Sequence, residues 1–207
     1  MVLADKSLQA TGAREAALKA LVRYEQDSAY LNLALPTLIK SLTDQEKALA
    51  VKLAGGTVQH LNTIDWALQQ YSKHKLDALT PWLRNLLRVS AYQLIYLERV
   101  PVYAVINEAV NLARRYGHRG VAGLTNALLR KLAAEVDHLP WPDQEREPLD
   151  YLSLRYSFPP WLIRRILERT VLPKPESGAW LTLKNHPCLF GLTGCAQRRM
   201  SWLKNWP

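Results

Sequence analysis

The chain reads as all-α: a helical bundle followed by a linker and a short helical connecting segment. Three observations predict this. Apolar residues recur at three- and four-residue steps along most of the first 137 residues, as amphipathic helices require. No segment alternates polar and apolar residues with strand period for long. Prolines and glycines fall between the periodic stretches, placed as stops.

The first helix begins near Ala13. Ala17, Leu18, Leu21 and Val22 form its apolar stripe, while Arg14, Lys19 and Arg23 fall largely on the other side. Leu31, Leu33, Leu35 and Leu38 make a second, short segment interrupted by Pro36. Thr43 or Asp44 is the N-cap of a third helix, with Glu46 and Lys47 in its first turn. That helix continues through 48–54 to Gly55-Gly56, where a break or close packing is expected. Leu61, Ile64, Asp65, Leu68 and Tyr71 keep helical spacing in the next segment.

Thr80-Pro81 pairs an N-cap with proline at the first helical position. The helix it opens runs to about Leu97, with Leu83, Leu87, Leu94 and Leu97 close to one face, and ends before Pro101. Another spans about Val105 to Tyr116 and stops at Gly117; Leu124 to Ala134 forms the last of the body. Trp66 and Trp82 are expected in the core, and Tyr92, Gln93 and Tyr96 read as packing residues more than stacking platforms.

These elements divide the chain. Residues 1–137 form the helical domain and 138–150 the linker, which holds three prolines and five charges in 13 residues. Residues 151–170 return to helical character, and 171–207 form a tail of different composition. The net charge of +9 divides likewise. Residues 1–140 carry 17 Lys+Arg against 12 Asp+Glu, residues 141–170 carry 5 against 5, and residues 171–207 carry 5 against 1. The helical part is moderately basic, which supports polyanion binding without demanding it.

No apolar run approaches the roughly 18 residues a spanning helix needs. The start, MVLADKSLQATGAR, lacks the pattern of a signal peptide, so a cytoplasmic location without membrane contact is expected. Cys188 and Cys195 match no zinc knuckle, and His60, His74 and His118 are too scattered to share a metal, so no metal site is expected.

Five stretches in order carry a family resemblance. Ala13-Arg14-Glu15-Ala16-Ala17 opens the chain's first helix. Arg84, Leu87-Arg88, Tyr92-Gln93-Leu94 and Val100-Pro101 follow. Ile106-Asn107-Glu108-Ala109-Val110 precedes Ala113-Arg114, and Gly123-Leu124-Thr125-Asn126-Ala127-Leu128-Leu129-Arg130 comes next. Leu154-Arg155-Tyr156-Ser157-Phe158-Pro159-Pro160-Trp161-Leu162 is the last. Together, over roughly residues 13–170, they resemble the NusB-like N-terminal region of the 16S rRNA cytosine-C5 methyltransferases (the RsmB, Sun or Fmu family).

The resemblance implies RNA binding, with 16S rRNA as partner. Methyl transfer in the family belongs to a separate catalytic half, which binds S-adenosylmethionine and attacks cytosine C6 with a cysteine thiolate. This sequence shows neither a Gly-rich strand–turn–helix fingerprint nor a cysteine in the family's flanking text. The chain is therefore expected to be inactive alone and to bind no cofactor. The tail beyond about Thr170 departs from family text; a frameshift near residues 170–175 is the expectation, and a divergent, disordered basic tail the alternative.

Candidate RNA-binding residues are Arg14, Arg23, Arg114, Arg115, Arg119, Arg130 and Lys131. Each has a structural reading beside it. Arg14 and Arg23 fit a solvated helix face. Arg114, Arg115 and Arg119 fit charge-capping around a helix C-terminus and a glycine loop, and Arg130-Lys131 is equally ambiguous. Asn107 and Glu108 are expected to fix neighbouring helices by hydrogen bonds. Two other functions stay open: a free-standing NusB-like antitermination factor binding RNA and a ribosomal protein, and an interaction bundle without RNA affinity. The oligomeric state is not legible.

Overall fold

The computed structural model describes residues 10–27 and 30–169. Among these residues the elements are all helical. They are α1 (Ala13–Gln26), α2 (Leu31–Leu38), α3 (Asp44–Gln59), α4 (Leu61–Tyr71), α5 (Pro81–Tyr96), α6 (Val102–Tyr116), α7 (Arg119–Glu135), α8 (Pro148–Tyr156) and α9 (Pro160–Arg169). Two single 3-10 turns, Leu76–Ala78 and Val136–His138, sit between them. The tail, with Cys188, Cys195 and the expected frameshift, lies outside the described residues.

The bundle is organised around α5, which packs against α1, α3, α4, α6 and α7. Every residue from Asn85 to Leu94 is buried, so this helix has no solvent face. Its apolar residues Leu83, Leu86, Leu87 and Val89 meet Leu18 and Leu21 of α1, Leu53 of α3, Ile64 and Leu68 of α4, and Leu129 and Leu132 of α7 in one continuous core.

Burying a helix on all sides means its polar residues must find partners inside. Arg88 makes a two-pronged bond to Asp65 of α4, both N···O distances 2.7 Å. Asn85 and Arg84 both donate to Glu25 near the end of α1. Ser90 donates to the Leu86 carbonyl at 2.8 Å, and Gln93 to the Val89 carbonyl at 3.1 Å. The Arg84 and Arg88 of the family-like stretch thus tie α1 and α4 to the central helix.

α3 starts on a full capping box: the Glu46 backbone N–H donates to Thr43 Oγ1, and the Thr43 backbone N–H donates back to Glu46 Oε2. It then runs through Gly55-Gly56 to Gln59 without a break. Close packing is the reason for glycine at 56: a Cβ there would stand 2.1 Å from the Tyr92 ring carbon Cζ. Tyr92 and Tyr96 stack in turn on His60, whose ring lies 4.1 Å from that of Tyr96. Burial lowers the His60 pKa and pushes Tyr96 up to about 12.

Several boundaries differ from the sequence reading. α6 starts three residues before Val105, and α7 starts at Arg119, five before Leu124, taking in Gly120 and Gly123. Trp66 and Trp82 are half-buried against the core rather than inside it. Lys19, expected on the polar side of α1, is 7% exposed and ion-paired to Glu15.

The described residues fall into two compact units that divide between Ser157 and Phe158. In the first, α8 packs on α4, Leu139 is buried, and Trp141 lies against Trp66 with ring centroids 4.8 Å apart. The second unit carries α9, a short amphipathic helix with Leu162, Ile163, Ile166 and Leu167 withdrawn from solvent and Arg164, Arg165 and Glu168 exposed.

Candidate nucleic-acid interface

The basic residues separate according to whether a carboxylate meets them. Glu15 of α1, 2% exposed, is the hub of the paired group. Its carboxylate accepts from the backbone N–H and hydroxyl of Thr11 and from the Tyr116 hydroxyl, and it pairs with Lys19 at 3.3 Å and Arg115 at 3.2 Å. Burial alone would raise its pKa. The bonds from Thr11 and Tyr116 and the charge of Lys19 outweigh that and hold it at about 2. Burial, reinforced by the same contact with Glu15, raises Tyr116 above the usual phenol range. Arg115 also reaches Thr11 Oγ1 at 3.0 Å, so its guanidinium is committed to α1.

Arg114, one residue earlier, points about 100° away around α6. It is exposed and meets no carboxylate among the described residues. Tyr103, Asn107 and Asn111 share its side of the helix: from Tyr103 to Arg114 the row spans about 16 Å within an arc of about 80°. Tyr103 is 71% exposed, and the other two are exposed as well. Glu108 projects about 120° from Arg114, so no α6 carboxylate lies in the row.

The expectation that Asn107 and Glu108 fix neighbouring helices is overturned, since both side chains face solvent. The inward-facing residues of α6 are Val105, Ile106, Ala109, Leu112, Ala113 and Tyr116. Tyr103 lies before the Val105 start that the sequence predicts for this helix, and the observed start at Val102 brings it in. Its spacing with Asn107 and Asn111 at i, i+4 and i+8 was the available signal.

α6 and α7 pack together and are joined only by Gly117 and His118. At this turn a Cβ on Gly117 would stand 2.8 Å from the Trp82 ring. Arg119, exposed, is the first residue of α7 and stands at the same end of the hairpin as Arg114. Arg130 lies eleven residues on, about 16 Å along α7 and within about 20° of Arg119 around it. Arg130 and Lys131 are both exposed, and Arg130 reaches Asn126 Oδ1 at 3.1 Å. Both lie inside the helix, not at its close.

Arg14 donates from Nε to Gln93 Oε1 at 2.7 Å and is half-buried. The Arg115–Glu15 pair brings the start of α1 to the end of α6, so Arg14, Arg114, Arg115 and Arg119 gather at one end of the bundle. Arg23 does not join them. It lies about 13 Å along α1 from Arg14 and on the opposite side of the helix.

The NusB family profile matches residues 11–134, from before α1 to one residue short of the end of α7. The chain belongs to the NusB family. Among curated NusB-type relatives, the probable ribosomal RNA small subunit methyltransferase B of Bacillus subtilis (strain 168) is 38% identical over 159 residues, covering 76% of this chain and 35% of the relative. The transcription antitermination protein NusB of Syntrophomonas wolfei is 32% identical over 126 residues, 59% of this chain and 94% of that protein. The chain therefore spans about a third of the methyltransferases it matches and nearly all of the Syntrophomonas antitermination protein.

Solved structures agree on the fold. T. maritima NusB superposes with a TM-score of 0.56 at 29% identity, covering 59% of this chain and 89% of that one. A chain of the crystal structure of antitermination factors NusB and NusE in complex with dsRNA gives 0.55 at 22% identity, covering 59% of this chain and 94% of that one. No helix among the described residues is long and apolar enough to cross a membrane, and no group of His, Cys, Asp and Glu there could hold a metal ion.

Proposed function

We propose that the chain is the RNA-holding region of a 16S rRNA cytosine-C5 methyltransferase, positioning rRNA for a catalytic half that lies outside the matched residues. The observation that carries this reading is the outer surface of the α6–α7 hairpin. Arg114, Arg119, Arg130 and Lys131 are exposed there without a carboxylate partner among the described residues, beside Tyr103, Asn107 and Asn111. Unpaired cations bind phosphates, an exposed aromatic ring stacks on bases, and carboxamides can meet base edges. Arg14 adds charge at the hairpin end of the surface; Arg23 would contact RNA only from another side, and Arg115 supports the site by holding α6 to α1.

The methyl donor of the family, S-adenosylmethionine, would belong to the catalytic half. The described residues contain no strand, hence no strand–turn–helix cradle for a nucleoside cofactor. A cytoplasmic setting accords with rRNA as substrate. A second reading, a free-standing antitermination factor binding RNA and a ribosomal protein, is favoured by the near-complete coverage of the Syntrophomonas protein.

The test is fluorescence anisotropy of the full chain with a labelled 16S rRNA fragment between 50 and 200 mM salt. Binding that weakens linearly in log–log form supports the reading, with a slope near −2 to −3 for three or four phosphate contacts at about 0.7 each. No binding at low salt sinks it. Preference for an antitermination element over every 16S fragment favours the second reading.

A further inference from the structure

α4 lacks an N-cap of its own: His60, which precedes it, gives no side-chain bond to the first turn. The open amides are met from far along the chain. Ser157 Oγ accepts from the backbone N–H of Asn62 at 3.0 Å and of Thr63 at 3.4 Å, across 95 and 94 positions. Thr63 answers by donating its hydroxyl to the Leu154 carbonyl. One turn on, the Trp66 ring meets Trp141, and the Arg155 guanidinium lies over the other ring at 5.8 Å from its centroid.

Ser157 also ends α8 with φ 56° and ψ 33°, the left-handed region that glycine or asparagine occupies most readily. Glycine would close the helix with less strain but would bring no oxygen to α4. The hydroxyl therefore accounts for serine at this position. The accepting oxygens of Ser157 and Leu154, and the Trp141 ring, lie beyond residue 134, where the family match stops, while the donors on Asn62 and Thr63 and the Trp66 ring lie within it.

We propose that residues 139–157 form a clasp and α4 its receiver, together fixing where the chain leaves the bundle. Resting on the function proposed above, the clasp would give the RNA-holding bundle a set exit point at Ser157 in place of a swinging linker. Ser157, Thr63, Trp66, Trp141 and Arg155 are then positioning residues, and none belongs to the α6–α7 surface.

The experiment places spin labels at Asp150→Cys on α8 and Glu108→Cys on α6, in a full chain carrying Cys188→Ser and Cys195→Ser. Pulsed dipolar spectroscopy should give one narrow distance distribution. Ser157→Gly, which eases the backbone and removes the oxygen, should broaden it at least twofold, and Ser157→Ala likewise. Hydrogen exchange of the Asn62 and Thr63 amides should quicken about fivefold. A Ser157→Gly chain with unchanged distances and unchanged exchange overturns the clasp. RNA titrations run in parallel keep the two proposals apart. Binding within twofold of the unaltered chain confirms that the clasp positions without gripping, a tenfold loss overturns that role, and an unaltered chain that ignores RNA strikes only the function above.

Discussion

The inner seam of the bundle and the outer surface of its α6–α7 hairpin use the same residue type for opposite ends. In the seam, half-buried Arg84 and buried Arg88 pair with Glu25 and Asp65 and hold three helices together. On the hairpin, Arg114, Arg119 and Arg130 stand in solvent with no carboxylate opposite them among the described residues. Arg114 and Arg115 put the boundary between adjacent positions, because one residue's rotation turns the first outward and the second onto Glu15. What an arginine does here is decided by the element packed against it, not by the local text.

The contrast can be broken hardest at Glu15. Glu15→Ala removes the buried carboxylate that Thr11, Tyr116, Lys19 and Arg115 share, and is expected to remove about 3–4 kcal/mol of stability, read by denaturant unfolding. Acid should act through the same group. Its carboxyl has a folded pKa of about 2 against an ordinary 4.5, so its contribution is complete above pH 4.5 and fades as the pH falls towards 2. Unfolding midpoints measured from pH 6 to pH 2 should drop across that window, and the Glu15→Ala chain should show a flatter profile. Next in size, Asp65→Asn removes one charge from the two-pronged bond to Arg88 and should lower stability by about 2 kcal/mol, discounted because Asp65 is partly exposed. Neither change should alter the salt dependence of RNA binding; an altered slope would erase the distinction between seam and surface.

Much of the bundle was legible because most of its helices carry their own signals. The cap at Thr43, which the structure selects over Asp44, the start at Pro81, where Thr80 holds the N-cap position without a side-chain bond, and the stop at Gly117 are all local chemistry. Where tertiary packing overrides local preference, the reading slipped. Gly120 and Gly123 looked like the end of a loop, yet they lie inside α7, which Ala122, Thr125, Leu128 and Leu129 anchor to the core. Lys19 looked solvated because its charge was read alone, whereas Glu15, one turn back on the same face, buries with it. Asn107 and Glu108 looked structural because apolar residues flank them, but those neighbours face inward and leave the polar pair outside. Ser157 was out of reach altogether, since its partner amides lie more than ninety positions away.

Arg115 and Arg114 sharpen the comparison at its smallest scale. Arg115→Ala takes a partner from the buried Glu15 carboxylate, but the guanidinium is 41% exposed, so solvent screening holds the expected loss to about 1 kcal/mol. Arg114→Ala removes a side chain that touches no carboxylate, and its stability should stay within about 0.5 kcal/mol of the unaltered chain. RNA binding should reverse the ranking. If Arg114 meets a phosphate, its removal lowers the log–log salt slope by about 0.7, whereas Arg115→Ala leaves the slope unchanged. Adjacent positions of the same residue type control for net charge and helix propensity, so the pair isolates orientation. Equal slopes for the two variants would place the RNA elsewhere and reduce the α6 row to a solvated helix face.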